Sequence, residues 1–427
     1  MCESYIISQH SIFTVLSLFP FAVLGMLVIF FIFFKKQVEV ECVRNSKYEK
    51  IWLILANSYM LFIILFNHYL NSNTKEIYVI LLILVFSNIC FFISRKYCRE
   101  KLELEYTDKN NARELLEKFG GNNLSHLIYL TDNKFFYDPE LEIGAIFQEN
   151  KHNIFILGDP IGNLEHLFKF LNRLLIVANK KGKYLIFYQT SSKFLNCYNE
   201  LNFNIFKLGE EGLVDLKNWS LIGKSKRGFR ATWNQAEKFE YDFEMIESPI
   251  ESDIYKELEE ISNEWLEGRK EMTFSVERYD KFYLNCSSIG IIREKNTNKI
   301  IGFISIMPTY TDYTISIDLI RWKENKNVAM MDLLYLKILQ WSQEQNFYYF
   351  NLGMAPLSST YENTSTWKNI LFSSVYSNSK YFYSFKGLRR YKEKFKPTWE
   401  GKYLVYNKKY LFTTLCDCYS IIHRKIK

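Results

Sequence analysis

Asn153-Ile154-Phe155-Ile156-Leu157 runs into Gly158-Asp159-Pro160-Ile161-Gly162, and apolar residues then recur at helical spacing through Leu164, Leu167, Phe168, Leu171, Leu174, Leu175 and Ala178. The first five residues predict a buried strand and the glycine-flanked Asp-Pro predicts a turn. Asn163 is placed to cap the helix and Gly182 to end it. Lys183 to Gln189 (KYLIFYQ) then predicts a second strand. Strand, helix and strand in this order make a βαβ-like unit, the mark of an α/β fold.

The same order recurs downstream. Ile300 to Met307 and Thr314 to Trp322 predict strands, Met331 to Glu344 an amphipathic helix, and Phe347 to Leu352 the following strand. Two α/β units in tandem are therefore expected, a coarse duplication without sequence identity. Their boundary is expected near Glu237 to Pro249, a charged stretch ending in proline, which gives lobes over 99–240 and 241–427.

Upstream the sequence changes character. Ile12 to Phe34 holds no Asp, Glu, Lys or Arg, and as a helix it would be about 34 Å long, enough to cross a hydrocarbon core of about 30 Å. Ile51 to Leu70 and Ile77 to Ser94 are two further uncharged runs. A cleaved signal peptide would need basic residues ahead of the first run, and Met1 to Ser11 has none. Three transmembrane helices over 1–98 are expected, with two spans plus a re-entrant piece as the alternative. Lys35, Lys36, Arg44, Lys47 and Lys50 mark the first loop as cytoplasmic, and Arg95, Lys96, Arg99 and Lys101 do the same for everything after the third span. The N-terminus is then outside, in a multi-pass protein of the cell membrane.

Composition narrows the function. The 427 residues are 48% hydrophobic and 24% charged with only 17 Gly and 7 Pro, which excludes disordered and collagen-like chains. Most of the eight cysteines would face a reducing cytosol, so structural disulfides are not expected. The six histidines lack metal-ligand spacing, and no metal is expected. From Lys380 onward there are thirteen Lys or Arg against three acids, interleaved with Tyr381, Phe382, Tyr383, Phe385, Tyr391, Phe395, Trp399 and Tyr403. That mixture suits a nucleic acid, an anionic membrane surface, or a solvated face over an ordinary core.

Several strings, taken in order, carry a resemblance. They are Gly158-Asp159-Pro160-Ile161-Gly162, Lys207-Leu208-Gly209-Glu210-Glu211, Glu271 with Phe274-Ser275, and Asp318-Leu319-Ile320-Arg321. Met331-Asp332, Asn351-Leu352-Gly353-Met354-Ala355-Pro356-Leu357, Phe385-Lys386-Gly387-Leu388-Arg389, Tyr391-Lys392-Glu393-Lys394-Phe395 and Pro397-x-Trp399 follow, then Tyr403-Leu404. Over roughly residues 115 to 408 the chain resembles the cytoplasmic synthase domain of the phosphatidylglycerol lysyltransferases, the multiple peptide resistance factor family. The resemblance implies tandem acetyltransferase-like (GNAT) lobes. It also implies transfer of lysine or alanine from aminoacyl-tRNA to the glycerol hydroxyl of phosphatidylglycerol, which lowers membrane charge and repels cationic antimicrobial peptides. The donor is then aminoacyl-tRNA and the acceptor an anionic phospholipid. Typical members carry many more spans, including a flippase module, so synthesis without translocation is expected here. Alternatives are a related transferase acting on a peptidoglycan precursor and a non-enzymatic membrane-tethered RNA- or membrane-binding factor.

The chemistry assigns candidates. An aminoacyl ester is already activated, so no cofactor is expected; Lys323 to Ala329 lacks the glycines of a coenzyme A loop. The acceptor hydroxyl must lose a proton, the oxyanion must meet fixed donors, and the phosphates need cations. Asp318, Arg321 and Asn351 are the catalytic candidates, Asn351 as an oxyanion donor. Strand alternation points Asp318 and Arg321 to opposite faces unless a bulge intervenes. Glu271 would take the amino acid's ammonium or pair with Arg269 or Lys270. Asp332 opens a helix, where an acid also serves as cap. Gly353 ends a strand, the usual place for a site. Lys386 and Arg389 are expected on phosphate, and Lys392 and Lys394 on tRNA or at the surface.

Overall fold

The computed structural model describes residues 105–424 apart from 107–108, 270, 276–277, 312, 326 and 357–386. These residues belong to the unit Leu104–Lys427. The three expected spans and Lys386 lie outside the described residues. Among the described residues no helix is long and apolar enough to cross a membrane.

The strands are β1 (Glu105–Tyr106), β2 (Lys134–Asp138), β3 (Ile143–Glu149), β4 (Asn153–Gly162), β5 (Tyr184–Ser191), β6 (Asn204–Asp215), β7 (Tyr241–Ile246), β8 (Ile289–Glu294), β9 (Ile300–Pro308), β10 (Thr314–Trp322), β11 (Tyr349–Pro356) and β12 (Thr398–Tyr406). The helices are α1 (Lys109–Phe119), α2 (Leu167–Lys180), α3 (Leu195–Glu200), α4 (Arg227–Lys238), α5 (Ser252–Leu266), α6 (Lys281–Leu284), α7 (Met330–Glu344) and α8 (Leu411–Ile422). A further helical stretch covers 387–393.

All twelve strands form one sheet in the order β1-β2-β3-β4-β5-β12-β6-β11-β10-β9-β8-β7. Two adjacent pairs are parallel, β4 with β5 and β10 with β11, and each is joined by a crossing helix, α2 or α7. In both halves an antiparallel run of strands leads into that βαβ unit. Both parallel pairs also part early: β4 and β5 pair only as far as Leu157 and Tyr188, β10 and β11 only as far as Ser316 and Asn351. This repeated motif of splayed parallel strands makes the fold an α/β arrangement of two acetyltransferase-like lobes.

The α2 unit forms as its pattern predicts. Asn163 Oδ1 accepts from Glu165 N at 3.2 Å and caps the entry turn, and Gly182 ends the helix at φ +63. Leu167, Leu171, Leu174, Leu175 and Ala178 of that stripe are buried, Phe168 is half-buried and Leu164 exposed, and Phe170, outside the stripe, is buried as well. Gly158 to Gly162 is not a turn but the continuation of β4. A register shift between Leu157 and Ile161 lets the strand resume pairing with β3, and Gly158 takes the left-handed φ of +66 that the irregularity requires.

The C-terminal segment crosses back over the sheet. β12 pairs with β5 on one side and β6 on the other. Leu415, Cys418, Ile421 and Ile422 of α8 pack with Leu127, Phe155 and Leu404 in the core of the first lobe. A second core joins α7 to Val214, Phe229, Phe350 and Phe395, and a third joins Leu258 and Ile261 of α5 to Phe303 and Leu319.

Candidate active site

Asp318 and Arg321 lie on β10 beyond the point where it leaves β11. The register against β9 shifts between Ile317 and Ile320, so one extra residue sits in the strand. This bulge cancels the alternation that would have pointed the two charges apart. Asp318 Oδ2 accepts from the Tyr283 hydroxyl of α6 at 3.1 Å. Arg321 is 3% exposed and reaches the same side, donating to Ser262 Oγ of α5 and to Glu271 Oε1 at 2.5 Å. Glu271 thus pairs with Arg321, and its carboxylate also accepts from Tyr279 N at 3.1 and 3.2 Å. The Arg321 guanidinium lies 5.4 Å from the Trp265 ring centre. Its Nε is buried and has no acceptor among the described residues, so a donor remains for a substrate oxygen.

β11 carries a second irregularity, a register shift against β6 between Asn351 and Met354. Ser316 Oγ donates to Asn351 O at 3.1 Å where the strands part, and Asn351 Oδ1 accepts from Gly353 N at 2.7 Å. Asn351 therefore shapes the bulge with its side-chain oxygen, and Gly353 turns it at φ +74. Lys392 enters beside it, its Nζ 3.7 Å from where a Gly353 Cβ would stand and donating to Met354 O at 3.1 Å. Lys392 is 5% exposed, and no carboxylate among the described residues lies within ion-pair distance of it. Burial pushes its amine down to about 7, with Glu211 partly opposing.

The motif around Lys392 contributes two more charges. Arg389 bonds Glu210 at 2.7 Å and Glu393 at 2.9 Å, with its guanidinium 3.3 Å from the Trp399 ring centre. Burial alone would raise the Glu210 carboxyl, but Lys207 and Arg389 hold it below its ordinary value. Lys394 pairs with Asp332 at 3.2 Å; Asp332 lies in the first turn of α7. The candidates thus fall into three groups: Glu271, Arg321 and Asp318; Asn351, Gly353 and Lys392; and the paired charges Arg389, Asp332 and Lys394.

Sequence reasoning missed a buried ionic cluster where β4, β6 and β12 meet. Lys402 Nζ is 3.0 Å from Glu211 Oε2, and Glu211 also accepts from Asn123 Nδ2. Asp159, read as part of a turn, is buried, and its carboxylate accepts from Ser191 N at 3.1 and 3.2 Å. Burial raises the Asp159 carboxyl, with Lys402 opposing. Burial alone would lower the Lys402 amine, but Glu211 and Asp159 hold it above its ordinary value. The signal was present only in part: Glu211 and Lys402 are charges set inside the strand-like strings KLGEEGLVD and EGKYLVY. His126 was also missed. It is fully buried with Nδ1 2.8 Å from the Tyr310 hydroxyl, and burial holds its imidazole down at about 3. Among the described residues no group of three or more His, Cys, Asp or Glu could hold a metal ion.

Two lobes, each with a splayed parallel strand pair, and buried charges gathered at the splay of the second, define the chain as an α/β protein built on one mixed sheet. Residues 113–406 match the family model described as phosphatidylglycerol lysyltransferase, C-terminal, and the chain belongs to that family. It is 34% identical to a phosphatidylglycerol lysyltransferase of Staphylococcus epidermidis, over 98% of this chain and 52% of that protein. Against a Staphylococcus aureus protein of the same name it is 40% identical over 70% of this chain and 35% of the relative. The chain spans about half the length of the curated relatives it matches. The solved structure of L-PGS from Bacillus licheniformis superposes with a TM-score of 0.70 and 36% identity, over 76% of this chain and 99% of that one.

Proposed function

We propose that the chain transfers an amino acid, lysine or alanine, from aminoacyl-tRNA to the glycerol hydroxyl of phosphatidylglycerol. The observation that carries this is the family match across 113–406, which includes every charged residue gathered on β10 and at 387–394. The glycerol oxygen attacks the aminoacyl carbonyl, and the ester bond to the tRNA ribose breaks. The hydroxyl proton ends on the ribose oxygen. Glu271 and Asp318 supply the negative lining that an aminoacyl ammonium needs. The Nε–H of Arg321, without an acceptor among the described residues, is a donor for the carbonyl oxygen as it becomes an oxyanion. Lys392 sits with an amine of about 7, suited to hold or release a proton near neutral pH. Arg389 and Lys386 are the cations for phosphate, and Lys394 lies toward the tRNA. The reaction needs no cofactor, since the ester carries its own activation.

In this reading three N-terminal spans hold the chain in the cell membrane. The N-terminus is outside and the part of the chain after the third span is cytoplasmic, where aminoacyl-tRNA is found. Lipids extracted from cells expressing the chain and analysed by mass test the reading. A new aminoacyl-phosphatidylglycerol is expected; its absence, or a modified cell-wall precursor in its place, contradicts it.

A further inference from the structure

The loop leaving β6 has a composition that the transfer chemistry does not use. Residues 217–230 contain Lys217, Lys224, Lys226, Arg227 and Arg230 and no acid. At its tip Ile222 is 85% exposed. The tip is held in place from behind. The Arg230 guanidinium donates to Leu221 O at 2.6 Å and Gly223 O at 2.7 Å. The Gln343 side chain donates to Leu216 O at 2.7 Å and Trp219 O at 3.0 Å. Gly223 makes the bend at φ +103. An ordered backbone that presents an aliphatic side chain to water gives up conformational freedom and gains no burial there. The arrangement acquires a benefit once Ile222 enters an apolar medium.

Charge and position say which medium. Lys226 is buried and Arg230 is turned inward, but Lys217, Lys224 and Arg227 are exposed, and an aliphatic tip with these three cations near it in the chain matches an anionic bilayer: the side chain enters the acyl boundary and the cations meet headgroup phosphates. RNA offers the same phosphates but no apolar phase, and its unpaired bases are held by aromatic stacking. The loop also connects to one of the candidate site groups. Lys226 Nζ donates to Lys394 O at 2.7 Å, two residues from Lys392.

We propose that the 217–230 loop docks the synthase unit on the phosphatidylglycerol-containing bilayer, with Ile222 inserted below the headgroups. That the docked lipid is also the acceptor rests on the reading above; the contact itself requires only anionic lipid. The test uses the full chain in nanodiscs of phosphatidylcholine with or without phosphatidylglycerol. Hydrogen exchange is followed in peptides covering 217–227, for the wild type, Ile222→Asp and Ile222→Leu. Slower exchange in the phosphatidylglycerol discs is expected, lost in Ile222→Asp and kept in Ile222→Leu. Because Ile222 is 85% exposed, both variants are expected to fold. Ile222→Asp is also expected to raise the apparent KM for bilayer phosphatidylglycerol about tenfold, with turnover of a soluble short-chain phosphatidylglycerol unchanged. Equal exchange in both discs overturns the proposal, as does protection by tRNA without phosphatidylglycerol, which would assign the loop to RNA. Lipid-dependent protection in a chain that transfers no amino acid would keep the docking and refute the activity; transfer without protection would do the reverse.

Discussion

Replacing Lys392 with methionine, of similar length, removes a buried amine that has no carboxylate within ion-pair distance among the described residues. Burial moves this amine from the ordinary 10.5 to about 7. A depressed amine means that the unfolded chain binds more protons than the folded one between these two values. Stability contributed at Lys392 therefore rises with pH across that window and is lost as pH falls through about 7. Linkage over about pH 6 to about pH 9 gives the wild type roughly 3 kcal/mol relative to Lys392→Met, as an upper figure. For a unit of this size that is a shift of roughly 4 °C in melting temperature. The assay is thermal unfolding of both proteins across this pH range at one ionic strength. Lys392→Met should be the more stable at the acid end, with the gap closing as pH rises. A gap that stays constant with pH would refute the reasoning, because the amine would then keep its charge in the fold.

Other outcomes follow from the same geometry. Arg321→Met leaves Glu271 half-buried without its partner and should cost roughly 3 kcal/mol; Glu271→Gln in the same chain should recover part of this, and a double-mutant cycle on unfolding free energies reads the coupling. Gly353→Ala should destabilise by about 1–2 kcal/mol through its left-handed backbone alone, since the new Cβ meets Lys392 Nζ only at van der Waals distance; chemical denaturation measures it. Tyr283→Phe removes the hydroxyl that bonds Asp318 and should lower turnover more than it changes the KM for tRNA, in steady-state kinetics. From the basic sequence motif and not from geometry, since Lys386 lies outside the described residues, Lys386→Ala should lose turnover even at saturating tRNA, whereas Lys409→Ala should be rescued by more tRNA or less salt, again by steady-state kinetics.

The fold was legible wherever periodicity was strong. The α2 and α7 units, with their flanking strands, appear close to where their spacing places them. Two things were hidden, for a common reason. Gly158 to Gly162 has the composition of a turn, yet tertiary pairing with β3 keeps it in the sheet. The place of β12 between β5 and β6 joins residues about two hundred positions apart, and local pattern carries no information about such pairing. In the site, the alternation rule gives Asp318 and Arg321 opposite faces unless a bulge intervenes, and β10 carries that bulge. A single inserted residue leaves no mark in hydrophobic spacing. Glu271 was legible as one half of an ion pair, but its partner came from β10 and not from its neighbours in sequence. Asp159 falls in a stretch that reads as a turn, and Glu211 and Lys402 carry no local mark of burial, because burial is decided by what packs above them. Ile222 was passed over because one apolar residue in a loop has no periodicity to read.

The central claim is best tested with the purified full chain, aminoacyl-tRNA labelled on its amino acid, and phosphatidylglycerol bilayers. Label should move from tRNA to phosphatidylglycerol without added metal or nucleotide, and Arg321→Met should abolish the transfer while the protein remains folded. Label that stays on tRNA, passes to water, or reaches the lipid equally well in folded Arg321→Met would contradict it.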